Sequence, residues 1–234
     1  MQIHVGTSGW SNPIWNPSGL EWYVNNSGLN ALELNMSFYH LPHKYQIDEW
    51  AHIGKALLWT VKVNRSITHF FRFNNTAVEK MTEFLDLFSS LDHLTEYYLF
   101  QLPPNAHPNI KNDIEKFFDK FKQHKKFALE WKNQRWFSPE NIKWAKDLGI
   151  TIVSADAPLV PRDIICTNNT VYLRLHGRSD WFEHHYSRKE LSNIAKRVIQ
   201  TKCTKVIALL NNQTSQLKNA QALMYILKNE AAIE

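Results

Sequence analysis

The chain has 234 residues, of which 44% are hydrophobic and 13% aromatic, a globular composition that excludes an intrinsically disordered protein. The net charge of +5 favours anionic partners only weakly. Two cysteines without paired spacing give no sign of a disulfide framework or a zinc site. No apolar run reaches the roughly 18 residues of a membrane helix, and no signal-peptide pattern opens the chain. We therefore expect a cytoplasmic protein that does not insert into a membrane.

Eight short apolar runs follow one another along the chain, and each ends in polar side chains. The runs cover residues 3–5, 31–34, 58–62, 98–100, 127–129, 151–153, 171–175 and 206–210. Strands of a parallel barrel behave in this way, because their carboxyl ends form the face that carries the chemistry. The pattern predicts eight parallel strands.

Helix signals lie between most of these runs. Residues 76–79 and 187–190 each fit a capping box, and Ser138 before Pro139 predicts the start of a further helix. A last helix is expected from about 216 to 227. Alternating strands and helices indicate an α/β protein.

Two connections are irregular. The first crossover, residues 19–26, is short, and residues 157–170 contain two prolines and no helical pattern. We expect a long loop between the sixth and seventh strands. The prediction is therefore a single (β/α)8 TIM barrel of eight parallel strands, with an irregular first crossover and a long β6–β7 loop, forming one domain over residues 1–234.

Several segments in order along the chain resemble a known family. They are residues 5–10, 33–42, 67–69, 100–104, 129–131, 172–178 and 211–212. Together they resemble the DUF72 family, also called YecE-like proteins. The resemblance implies a TIM barrel and no particular activity.

The chain departs from that family after the first motif, where the usual Phe-Tyr-Pro is missing and residues 15–22 are shortened, and within two later motifs. Lys132 stands where the family has arginine, in Glu-Phe-Arg, and Gln213 stands where it has aspartate, in Asn-Asn-Asp. If those residues contribute to activity elsewhere in the family, these departures favour altered or weakened activity in this chain.

Polar residues at the strand ends are the candidates for catalysis. Glu33 and Glu130 are the expected acid and base, since carboxylates held among aromatic side chains can have raised pKa values. Asp156 and His176 are expected to orient them or to hold a divalent metal, for which no paired ligand spacing exists. The alternative for the two glutamates is a structural pair, salt-bridged to Lys62 or Arg174.

A second group of residues is predicted to bind the substrate. It consists of charged groups, hydrogen-bonding side chains, aromatic rings for stacking and one loop histidine: Lys62, Arg174, Arg178, Asn35, Gln101, Asn211, Asn212, Tyr39, Trp181 and His69. Residues two apart on one strand share a face, so several of these should meet at the barrel mouth.

The sequence leaves three classes of function open. The first is an enzyme that hydrolyses or isomerises an anionic or sugar-containing small molecule, as phosphodiesterases, glycosidases and isomerases do. The second is a nucleic-acid-binding protein without turnover, and the third is a scaffold or regulatory barrel. The chain has no phosphate-binding loop and no nucleophile elbow, so we expect neither nucleotide hydrolysis by such a loop nor a serine or cysteine nucleophile.

Overall fold

Eight parallel strands form a closed barrel in which each strand pairs with the next and β8 pairs back onto β1. The computed structural model describes residues 1–232. The strands are β1 Gln2–Ser8, β2 Ala31–Leu34, β3 Leu58–Lys62, β4 Thr95–Gln101, β5 Phe127–Glu130, β6 Thr151–Asp156, β7 Thr170–Leu175 and β8 Lys205–Leu210. The predicted eight-stranded parallel TIM barrel is confirmed.

Helices connect the strands on the outside of the barrel. They are α1 Leu20–Asn26, α2 Lys44–Ile53, α3 Asn75–Leu87, α4 Lys111–Phe118, α5 Pro139–Asp147, α6 Arg188–Gln200 and α7 Gln216–Ala231. The first crossover is short, as predicted, because α1 has only 7 residues. Residues 157–169 between β6 and β7 contain no helix, which confirms the predicted loop.

The helix starts follow the sequence signals with one exception. Ser138 caps α5, and Ser187 with Glu190 forms a capping box at α6, both as predicted. Helix α3, however, begins two residues earlier than the predicted capping box implies. Its cap is Asn74, whose side chain accepts a hydrogen bond from the Ala77 amide. The prediction of Thr76 as the cap is wrong, because asparagine caps a helix at least as well as threonine and here has the extended backbone that a cap needs.

The strands β1 and β2 approach each other closely at a glycine. A Cβ atom on Gly6 would lie 2.0 Å from the backbone oxygen of Ala31, so no other residue fits there without displacing a strand. Gly6 therefore helps to close the barrel. Outside the strands, the main hydrophobic core fills the space between the sheet and the surrounding helices.

The two cysteines form a disulfide. Cys166 lies before β7 and Cys203 before β8, and their Cα atoms are 6.2 Å apart. The expectation of unpaired cysteines is wrong, because β7 and β8 are neighbours and bring together residues 37 positions apart in the chain. The cysteines therefore give no argument for a reducing compartment.

None of the helices described in the structure is long and apolar enough to cross a membrane.

Candidate active site

Side chains inside the barrel form two layers. The apolar layer consists of Ala31, Tyr97, Leu99, Ala128, Val153, Tyr172, Ile207 and Leu209. Toward the carboxyl ends of the strands lies the polar layer, made of Glu33, Lys62, Glu130, Arg174 and His176, none more than 4% exposed. Glu33 comes two residues after Ala31, and Arg174 two residues after Tyr172, as strand alternation requires.

Arg174 is the centre of the polar layer. Its Nη2 donates to Glu33 Oε1 at 2.6 Å, and its Nη1 donates to Glu130 Oε2 in a second, very short contact. The other Glu33 oxygen accepts from the hydroxyl of Tyr172 at 3.0 Å. One guanidinium thus joins carboxylates from β2 and β5, which is the salt-bridged arrangement that the sequence left as an alternative.

Both carboxylates are held in their charged form. Burial by itself would raise the pKa of Glu33, but the Arg174 charge and its hydrogen bond keep that pKa below the ordinary value. Burial acts against the charge of Glu130 too, yet Arg174 and then Lys132 hold its pKa well below the ordinary value. The expectation of raised carboxyl pKa values is therefore wrong, because a buried cation outweighs the aromatic surroundings.

Glu130 has two further neighbours. Lys132 Nζ lies 2.6 Å from Glu130 Oε1, an ion pair by distance although it is not aligned as a hydrogen bond. His176 Nε2 lies 3.3 Å from the same oxygen. Glu130 is thus surrounded by an arginine, a lysine and an imidazole, and its charge is fully engaged.

His176 is neutral over the physiological range. Burial, followed by the positive charges of Arg174 and Lys132, lowers its pKa to about 3. The Asn211 side-chain nitrogen lies 3.2 Å from His176 Nδ1. A neutral imidazole held in this way exchanges hydrogen bonds with a ligand without adding charge to the site.

Lys62 has an unusual environment for a lysine. Its Nζ lies 3.9 Å from the centre of the Phe38 ring, and its side chain is almost completely buried. Burial, followed by the charge of Arg174, lowers the pKa of Lys62 to about 7. At neutral pH a large fraction of this amine is therefore unprotonated.

A cavity of about 390 Å³ opens above the polar layer at the carboxyl ends of the strands. Seven of the predicted site residues line it: Asn35, Tyr39, Lys62, Gln101, His176, Trp181 and Asn211. Pro104, Lys132, Phe182 and a short segment 158–160 of the β6–β7 loop complete the wall. Glu33, Glu130 and Arg174 do not line the cavity.

Four predicted residues lie elsewhere. Asp156 is in a bidentate ion pair with Arg178, whose guanidinium also contacts Glu190. Asn212 donates to the backbone oxygen of His184 and to Asn219. These contacts tie β6, β7 and β8 to the following helices. His69 lies 2.8 Å from the Thr68 hydroxyl and packs edge-on against Phe38, beside the cavity but not on its wall.

Two residues that belong to this site are not among the predicted ones. Lys132, a departure from the family motif, lies beside Glu130, and the Ser8 hydroxyl donates to Glu33 Oε1. Lys132 follows Glu130 by two positions, and Ser8 follows Gly6 by two. The same period-two argument, extended three positions beyond each apolar run, is the signal that could have found them.

The residues present do not fit the divalent metal considered from the sequence. Arg174 occupies the space between the two carboxylates, which already have cationic partners. Within residues 1–232, no group of three or more histidine, cysteine, aspartate or glutamate side chains is placed to hold a metal ion.

The comparison with family models gives a match over nearly the whole chain. The model described as "Protein of unknown function DUF72" matches residues 4–233. The chain belongs to the DUF72 family. A comparison with curated proteins finds no match.

Solved structures of other DUF72 proteins have the same fold as this DUF72 chain. A DUF72 family protein from Enterococcus faecalis V583 superposes with a TM-score of 0.84 at 21% identity, covering 97% of this chain and 96% of that one. Another, from Thermotoga maritima MSB8, gives a TM-score of 0.82 at 22% identity, covering 99% and 100%. A D-psicose 3-epimerase crystallised in the presence of D-fructose is more distant, with a TM-score of 0.56 at 10% identity and coverage of 100% and 98%. At these identities the likeness concerns the fold alone.

Proposed function

We propose that this barrel is an enzyme that binds a small, sugar-like anion in the mouth cavity and isomerises it by proton transfer. The observation that carries the proposal is the wall of the cavity, which presents two buried amines, Lys62 and Lys132, beside the neutral imidazole of His176. A hydrogen-bonding set of Asn35, Gln101 and Asn211 faces the same space.

The charges around the cavity favour an anionic ligand. With Lys62 protonated, the site holds the three cations Lys62, Lys132 and Arg174 against the two carboxylates Glu33 and Glu130, since His176 is uncharged. In that protonation state three positive and two negative charges leave one excess positive charge in a buried place, whereas the charges balance when Lys62 is neutral. A phosphate or carboxylate on the ligand would neutralise it, and Lys132 on the cavity wall is the proposed anchor.

The same contacts favour isomerisation over hydrolysis. A glycosidase needs a protonated carboxylic acid beside the scissile bond. Here both glutamates are held ionised by Arg174 and lie away from the cavity wall. Lys62, whose pKa of about 7 leaves part of it neutral at pH 7, is the wall group suited to accepting a proton from carbon or oxygen, and the neutral His176 is suited to hydrogen-bonding the ligand.

The roles of Glu33, Glu130 and Arg174 follow from their burial. We assign them to positioning, because they fix Lys132 and His176 and set the electrostatic potential of the cavity. The D-psicose 3-epimerase has the same barrel, which supports a sugar-sized substrate at this face. A scaffold or regulatory barrel is less well supported, since it does not require two desolvated amines on a cavity wall.

Proton transfer to and from carbon is the direct test. We would incubate the protein with a panel of aldose and ketose phosphates and sugar acids in D2O and follow deuterium incorporation by NMR. The expected result is enzyme-dependent exchange next to the carbonyl carbon with at least one compound. The exchange rate should fall about 100-fold or more in Lys62→Met, which lies within the range for losing an acid–base group.

Matched variants separate binding from chemistry. Lys132→Met should weaken ligand binding in calorimetry, whereas Lys143→Met, which alters a lysine exposed on α5, should change neither binding nor exchange. No exchange with any compound, together with salt-sensitive binding of single-stranded oligonucleotides, would overturn the proposal in favour of nucleic-acid binding.

A further inference from the structure

We propose that Lys62 is a nucleophile that forms an imine with the carbonyl group of an aldehyde or ketone bound in the mouth cavity. The inference deepens the proposed function and depends on it in one respect, since it takes the same cavity as the substrate site. It adds a covalent step and restricts the substrate class to carbonyl compounds.

The position of Lys62 supports this chemistry. The residue ends β3, so its side chain is carried by a rigid strand, and it lines the cavity although it is only 4% exposed. A nucleophile held by the scaffold of a barrel rather than by a loop has a fixed direction of approach to the ligand.

The partners of Lys62 support it as well. Among the described residues, no carboxylate lies within salt-bridge distance of its Nζ, whereas Lys132 Nζ lies 2.6 Å from Glu130 Oε1. The close contact of Lys62 is the face of the Phe38 ring. A buried amine with nearby positive charge keeps its lone pair free at a lower pH than a surface lysine does.

The step balances without any added oxidant or reductant. The Lys62 nitrogen attacks the carbonyl carbon, a C–N bond forms, and a proton passes from nitrogen to the former carbonyl oxygen. The resulting carbinolamine loses water, which leaves a C=N bond. His176 then remains on the wall as a neutral group that can hydrogen-bond the bound molecule.

Other charged groups face Lys62 and affect its reactivity. The neighbouring glutamates favour protonation of Lys62, and the neighbouring basic side chains disfavour it. The glutamates are Glu33 on β2 and Glu130 on β5, and the basic residues are Lys132 after β5, Arg174 on β7 and His69 in the turn after β3. An anionic group of a ligand near Lys132 would also favour the protonated form of Lys62. We therefore use an uncharged carbonyl probe, so that trapping does not depend on the proposed anion site.

Reductive trapping tests the proposal. The full-length protein is mixed with glycolaldehyde and sodium cyanoborohydride at neutral pH, and the modified lysines are located by peptide mass spectrometry. We expect Lys62 to be modified about tenfold or more faster than any exposed lysine, since a desolvated amine is activated. Its rate should level off above about pH 7, while exposed lysines continue to gain reactivity toward their ordinary pKa of about 10.4.

Two variants complete the experiment. Lys62→Arg keeps a positive charge and cannot form an imine, so the fast modification should disappear, whereas Lys143→Met should leave the modification of Lys62 unchanged. Peptide mapping of the trapped wild-type protein tests the imine proposal even if Lys62→Arg fails to fold. Labelling spread evenly over exposed lysines, or a slow reaction at Lys62, would overturn the imine.

The outcome is distinguishable from that of the proposed function. If deuterium exchange and anion binding are observed without trapping at Lys62, the imine proposal fails and the proposed isomerase function stands. If Lys62 is trapped but neither deuterium exchange nor anion binding is observed, Lys62 is supported as a nucleophile and the proposed isomerase function fails.

Discussion

On β2, β5 and β7 the two layers inside the barrel lie two residues apart, and they differ in almost every physical property. The apolar layer is packed from aliphatic and tyrosine side chains and is stabilised by burial and close contact. The polar layer buries five ionisable side chains at the same depth, and its stability depends on how completely their charges are matched. Moving two positions along a strand thus changes the barrel from a core into a candidate active site.

The difference shows where this fold gives up stability for chemistry. An all-apolar interior would not require compensating charges. Glu33 and Glu130 tolerate burial only because Arg174 lies between them. Lys62 has no such partner and loses proton affinity instead.

The largest expected effect is the loss of the central cation. Arg174→Met leaves Glu33 and Glu130 buried without their shared partner, and we expect a loss of about 3–5 kcal/mol in the free energy of unfolding. Urea unfolding at neutral pH measures it. The triple variant Glu33→Gln, Glu130→Gln, Arg174→Met should regain part of this loss. If Arg174→Met is as stable as the wild type, the stability of the polar layer does not depend on the matching of its charges.

A substitution in the apolar layer should affect stability alone. Ile207 is fully buried in that layer and pairs with Tyr172 across the strands. Ile207→Ala should lower the free energy of unfolding by about 2–5 kcal/mol through the cavity that it creates. Calorimetry should find ligand affinity unchanged; an altered affinity would mean that the two layers are energetically coupled.

The smallest expected effect is a pH dependence that belongs to Lys62. Its pKa is about 7 in the folded protein and about 10.4 in the unfolded chain. Between these values the unfolded chain binds the extra proton, so the free energy of unfolding rises with pH, by up to about 1.4 kcal/mol per pH unit.

Urea unfolding of the wild type and Lys62→Met at about pH 7.5 and pH 9 measures this contribution, because the variant should lack the rise. Lys143→Met, with an exposed side chain, should keep it. If the free energy of unfolding depends on pH equally in the wild type and in Lys62→Met, Lys62 stays protonated in the folded protein.

Much of the fold could be predicted because it depends on local patterns. The apolar runs located the eight strands, and the caps at Ser138 and Ser187 located two helices. The prediction of Thr76 as a cap was wrong because a second capping residue, Asn74, lies two positions earlier and caps the helix instead. Such competition depends on backbone angles that residue types alone do not determine.

The membership of the candidate site was predicted better than its electrostatics. Period-two alternation grouped Glu33, Lys62, Arg174 and His176, and the structure places these four in the polar layer. Asp156 and Arg178 were predicted at the same mouth because they follow strand ends, but these two form a separate ion pair. Which carboxylate meets which cation is decided by distances across the barrel, between residues as far apart in the chain as Glu33 and Arg174.

The sequence by itself determined the strand order, the face that carries the polar residues and the family, because each is encoded by periodicity or by short motifs. Only the tertiary structure decided that the cysteines pair, that Arg174 holds both glutamates ionised and that Lys62 has no carboxylate within salt-bridge distance among residues 1–232. The reason is physical: closing the barrel sets the distances between distant residues and removes water from them, and the pKa of a buried group depends on both.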